Sequence, residues 1–125
     1  MNAISRILAV SAAFFLTSQA WAHGVPMPQH GGIVDDAGLV AVELVAKDNA
    51  VDLYLTDDDA PVDAQNVKGV LTVTGPDGKQ QTTVTPLSGN QLHSKGITVK
   101  PGTKVTALLT MADGVTKVSA RFTVR

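Results

Sequence analysis

From Gly38 onward the sequence alternates apolar and polar side chains with period two, and no other feature restricts the fold as much. Such alternation puts successive side chains on opposite faces of an extended strand, whereas a helix needs apolar positions three and four apart. In LVAVELVAK, the residues Val40, Val42, Leu44 and Ala46 share one face, with Ala41, Glu43, Val45 and Lys47 on the other. The next run, AVDLYLT, sets Val51, Leu53 and Leu55 against Asp52, Tyr54 and Thr56, and Asp48-Asn49 between the two reads as a hairpin turn. Residues 67–74, 80–87, 103–111 and 116–124 repeat the theme. GPDGK and ADGV supply further turns, because Asp-Gly provides the positive φ that tight hairpins need. The last strand is the clearest, with Val118, Ala120, Phe122 and Val124 inward. Short strands at this spacing predict an all-β, antiparallel β-sandwich of about seven strands, a small barrel being the competing closure.

The N-terminal part has a different grammar. Arg6 is followed by the apolar run ILAVSAAFFL, too short to span a bilayer, which needs about 20 residues. A polar break and Ala20-Trp21-Ala22 come next, the small-x-small pattern that signal peptidase reads. Residues 1–22 are therefore expected to be a signal peptide cleaved after Ala22. That leaves an exported, periplasmic chain starting at His23, with an N-terminal His/Met/Pro segment over 23–37 and a β-sandwich domain over 38–125. No membrane insertion of the mature chain is expected.

Loss of Arg6 with the signal leaves a small negative charge, since the whole chain carries 10 Lys/Arg against 11 Asp/Glu. No nucleic-acid partner is indicated. Without a cysteine the exported chain has no disulfide, lipoprotein anchor or thiolate metal site. Phe14, Phe15 and Trp21 leave with the signal, so Tyr54 and Phe122 are the remaining aromatics and offer no platform for stacking sugars or bases. The serines lack the G-x-S-x-G setting of a hydrolase nucleophile, and Gly31-Gly32 neither follows a strand nor opens a helix as a phosphate loop would. No catalytic residue is assigned.

Four groups of side chains remain as candidates, all for binding. In HGVPMPQHGG, cleavage after Ala22 gives His23 both a free α-amine and an imidazole, two nitrogen donors on one residue. Imidazole suits copper, zinc and nickel, and the Met27 thioether is a soft ligand that favours Cu(I). Copper is thus the expected ion, with zinc or another heavy metal as alternatives. Pro26 and Pro28 extend the chain between His23 and His30, and Gly31-Gly32 let it turn sharply into the sheet, bringing His30 toward other loops. His93 and the carboxylates of Asp57, Asp58 and Asp59 are its expected partners. The three aspartates are weaker candidates, as hard oxygen ligands or as acceptors for a histidine N–H. His93, in NQLHSKG, reads as a surface loop residue, and Met111 as core.

The run QHGGIV, followed by VELVAKDNAVDLYLTDDDAPVD, a GVLTV strand and a closing ARFTV, resembles small periplasmic heavy-metal- and copper-binding proteins. These are related to the N-terminal domains of heavy-metal efflux adaptor subunits. In that group a P-x-H-G-G-like start precedes a v-E-l strand, a second strand ending in Asp and a loop with P-V. The resemblance is good over residues 29–73 and elsewhere lies in the strand pattern. It implies an immunoglobulin-like β-sandwich tied to metal resistance or homeostasis, non-catalytic, with His30 the matched ligand candidate and an efflux component as a partner. Members often carry histidine in the acidic loop, where this chain has Asp57-Asp58-Asp59. Two other classes are compatible: a metal-independent periplasmic adaptor or interaction module, and a copper-dependent oxygenase-like protein using His23 with His93. The short scaffold and scarce aromatics count against the second.

Overall fold

A computed structural model describes residues 25–125; the expected signal peptide over 1–22 and His23 lie outside the described residues. These residues form nine strands and no helix: β1 (Ile33–Asp36), β2 (Ala41–Lys47), β3 (Ala50–Asp57), β4 (Ala60–Pro61), β5 (Lys68–Gly75), β6 (Gly78–Pro86), β7 (Gln91–Lys95), β8 (Lys104–Thr110) and β9 (Lys117–Thr123). No helix among them is long and apolar enough to cross a membrane. The order is β1-β2-β3-β7-β6-β5-β8-β9, with the two-residue β4 on the end of β3, and every pairing is antiparallel.

The all-β antiparallel reading holds, and the two modes of closure turn out to be combined. Strand β6 belongs to both sheets: residues from Gly78 to Val84 pair with β5, and Thr85 and Pro86 pair with β7. One sheet is thus β1-β2-β3-β7 and the other β5-β8-β9, joined through β6. At the far side β9 comes back to β1, where the Arg121 N–H donates to Asp35 Oδ2 at 2.8 Å. A side chain thereby satisfies an edge donor that would otherwise face solvent, and the sandwich is nearly closed into a barrel.

The core lies between the sheets. The expected inward sets Val51/Leu53/Leu55 and Val118/Ala120/Phe122 are buried, as are Leu71, Val105 and Leu109 from the second sheet. Met111 packs part-buried against them. Ala46, expected inward, is exposed, at a point where β2 has run beyond its last pairing with β1 at Leu44. The turns follow the expected chemistry. Asp48 adopts φ 47° in the β2–β3 hairpin, and Gly78 and Gly114 take φ 119° and 75° in the Asp-Gly turns.

Besides the two-residue β4, two strands were hidden from the alternation pattern. β1 falls inside the segment assigned to the N-terminal tail, and β7 occupies NQLHSKG, read as a loop. In β7 the inward positions are Leu92 and Ser94, and the second is polar. Ser94 is only 3% exposed and donates to Thr82 Oγ1 at 3.2 Å. One hydrogen bond makes a serine acceptable where the pattern calls for a hydrophobe.

Candidate functional site

The outer face of the first sheet carries the chemistry. Register places Val34, Glu43, Tyr54 and Gln91 in one row across β1, β2, β3 and β7, and Val45, Asp52, His93 and Thr85 in the adjacent row. Glu43 projects from this nominally solvent-facing side yet is only 5% exposed, because the segment before β1 folds over it. Its Oε2 accepts from the backbone N–H groups of His30 and Gly32, both at 2.8 Å, and its Oε1 accepts from the Gln29 N–H at 3.0 Å. The His30 ring completes the set, with Nδ1 3.0 Å from Oε1.

Gln29-His30-Gly31-Gly32 is therefore a clasp closed on a single carboxylate, and both glycines are required locally. Gly31 has φ 78°, in the left-handed region that favours glycine, and a Cβ on Gly32 would run into the Leu44 carbonyl of the paired strand. Burial pushes the Glu43 pKa up, but the bonds from the His30 ring and from the three backbone donors outweigh it and hold the group below its ordinary value. An ionised Glu43 only accepts, so Nδ1 of His30 is the donor. The neutral ring then keeps its lone pair on Nε2.

The ring plane is fixed as well. His30 stacks on Tyr54 with centroids 3.7 Å apart and planes 7° from parallel. Burial raises the Tyr54 pKa, and the carboxylates of Asp52 and Glu43 raise it further, so the stacking partner stays a neutral phenol. The His30 side chain remains 40% exposed. A second pair follows in the next row: His93 Nδ1 lies 2.6 Å from Asp52 Oδ1, with side chains 24% and 19% exposed. Two carboxylate-oriented imidazoles thus share one sheet face.

These positions correct three expectations. The partner of His30 is Glu43, with Tyr54, in place of His93 or Asp57, Asp58 and Asp59. His93 sits in strand β7, half-buried, where Asp52 opposes it in register. The acceptors that orient the two imidazoles come from strands β2 and β3, whose rigid backbones place a carboxylate better than a turn does. Asp57, Asp58 and Asp59 form the β3–β4 turn, the latter two with φ 51° and 69°. With Asp36, Pro26 and Leu39 they line an open groove that neither His30 nor His93 lines. Met27 is 72% exposed. Among the described residues no group of three or more His, Asp or Glu side chains stands close enough to hold a metal ion.

Glu43 was missed because period-two logic assigns it to the wet face, which is where its Cβ points. What covers it is a segment 13 residues earlier in the chain. The available signal was an acid amid the apolar run VELVA, together with a His-Gly-Gly able to bend back over it. No protein-family model matches this chain, and no curated protein matches it.

Proposed function

We propose that this chain is an exported, non-catalytic metal-binding protein that captures or hands over a soft or borderline ion, copper first, at the clasped N-terminal segment. The observation that carries this reading is the Glu43–His30 pair. A carboxylate on Nδ1 fixes the tautomer and leaves Nε2 as a ligand, the arrangement that orients histidines in metal sites. Tyr54 limits rotation of the ring, so less entropy is lost when the imidazole binds. Donor chemistry supports copper or zinc over calcium, because the oriented groups are imidazoles and the preceding chain offers the soft Met27 thioether. Cleavage after Ala22 adds the amine and imidazole of His23, seven residues upstream of His30. In this reading His30 is the fixed ligand, and His23 and Met27 close around the ion from the preceding chain. Capture and hand-over follow from a site with one rigid and several movable ligands, since the movable ones exchange with a partner's. An efflux component is the natural recipient.

A metal-independent interaction module is the second reading. It is favoured by the three backbone N–H bonds to Glu43, which complete the clasp without any ion. Copper titration of the processed protein, with its mass confirming the start at His23, separates the two. For the metal reading, binding is stoichiometric and weakens as pH falls through the imidazole range near 6.5, where protons compete for nitrogen. His23→Ala and His30→Ala each weaken it, and Met27→Leu weakens Cu(I) more than Cu(II). Parental affinity in the double variant His23→Ala/His30→Ala refutes it and leaves the interaction module. His93→Ala then reports whether the second imidazole contributes.

A further inference from the structure

Charge is divided between the two sheets. Nine of the eleven carboxylates precede Ala64 in the sequence, on or beside the first sheet. Strands β5, β6, β8 and β9 contain none. Their outward positions instead carry Lys68, Lys79, Lys104, Lys117 and Arg121, all exposed. Register spreads these cations over the sheet: Lys68 and Lys117 flank Thr110 at one end, Lys79 and Lys104 flank Thr74 at the other, and Arg121 lies beside Thr106 between them. Among the described residues none of the five side chains makes an ion pair. Asp35 of β1 borders the sheet at Arg121, where its carboxylate takes the Arg121 N–H, and Asp77 and Asp113 sit in turns, Asp113 turned onto Val115 and Thr116 of its own loop.

The surface between the cations decides what it can meet. It is threonine, serine and Gln81 around one exposed aliphatic pair, Val70 and Leu108, which face each other across β5 and β8. It holds no aromatic, because Phe122 points inward, and so offers no stacking platform for bases or sugars and no large anchor of the kind protein interfaces bury. Four strands about 4.8 Å apart and about 25 Å long make a broad, shallow face. A surface of this size is matched by a plane of closely spaced anions that long, flexible lysines can reach together.

We infer that the outer face of the second sheet is a peripheral docking surface for an anionic phospholipid bilayer. Lys68, Lys79, Lys104, Lys117 and Arg121 meet headgroup phosphates, and Val70 and Leu108 touch the interface. Because His30 and His93 lie on the opposite sheet, docking this way leaves them facing the aqueous side. The inference goes beyond metal binding and does not depend on it.

The test is sedimentation of the exported protein with vesicles of phosphatidylglycerol and phosphatidylcholine, against vesicles of phosphatidylcholine alone. Preference for the anionic vesicles is expected at about 50 mM salt and is lost near 0.5–1 M, where the Debye length falls to about 3–4 Å. Each neutralised lysine should lower partitioning about fivefold, so Lys104→Gln/Lys117→Gln loses about 25-fold. The matched pair Lys47→Gln/Lys95→Gln, on the first sheet, stays within about twofold of the parent. Circular dichroism of both variants verifies the fold. Equal binding to the two kinds of vesicle, absence of binding, or equal losses in the two variants overturns the inference. So does retention of an acidic protein through Lys104 and Lys117 when anionic vesicles are ignored.

Discussion

Glu43 is one side chain with four hydrogen-bond partners, and its removal has consequences at three backbone positions at once. Glu43→Ala strips the acceptor from the N–H groups of Gln29, His30 and Gly32 and from the His30 ring. Each donor left poorly solvated costs about 1–3 kcal/mol, an upper bound here because the freed segment can lift into water. The expected result is loss of amide protection at Gln29, His30 and Gly32, with β5, β8 and β9 unaffected, read by hydrogen exchange. The pH dependence follows from the depressed pKa. A carboxyl whose folded pKa lies below its ordinary 4.5 stabilises the fold fully above that value and loses the contribution as pH falls through the folded pKa. NMR titration of the Glu43 carboxyl should therefore give a midpoint below 4.5; a midpoint at or above it contradicts a charged clasp. Weakened copper binding in Glu43→Gln would link the clasp to the ligand role proposed for His30.

At the scale of elements, turns and strand starts fix where each strand can pair. Gly32 leads into β1 with its Cα against the Leu44 carbonyl, so Gly32→Ala must push β1 off β2 or abandon the clasp. Loss of exchange protection in β1 without change in β8–β9 is the expected readout. The β8–β9 hairpin is organised by Asp113, whose carboxylate accepts from the Thr116 hydroxyl at 2.6 Å and from the N–H groups of Thr116 and Val115 at 2.8 Å. Those bonds, the hydroxyl's first, lower its pKa to about 2. The loop's carboxylate support is then complete above its ordinary value of 3.8 and disappears only as pH falls through about 2. A titration that places Asp113 near 3.8 would show that the loop does not hold these bonds in solution.

For the whole molecule, stability rests on the core between two sheets that share β6, with no disulfide to help. Among the described residues Phe122 is the one aromatic in that core, 3% exposed, and Phe122→Ala should cost about 3–5 kcal/mol by chemical denaturation. Tyr54, on the outer face, should cost less fold stability when truncated, and its loss should instead free the His30 ring. Closure is the weaker joint. Asp35→Ala removes the acceptor for the Arg121 N–H, so exchange at Arg121 should accelerate while the core midpoint moves little.

Local chemistry in the sequence already determined six of the strands and the tight turns. Alternation in residues 51–55, 105–109 and 118–122 reflects which side chains must leave water, and Asp48, Gly78 and Gly114 stand where positive φ is needed. Pairing across long separations was decided by the tertiary structure alone. Whether Glu43 is wet or buried depends on where residues 29–32 come to rest, and whether His93 is a loop residue depends on Asp52 standing opposite it in β3. The division of charge between two outer faces likewise exists only once β5, β6, β8 and β9 lie side by side. Period-two patterning reports the environment of a side chain relative to its own strand. It carries no information about which other segment will cover that strand, and that covering segment made the site.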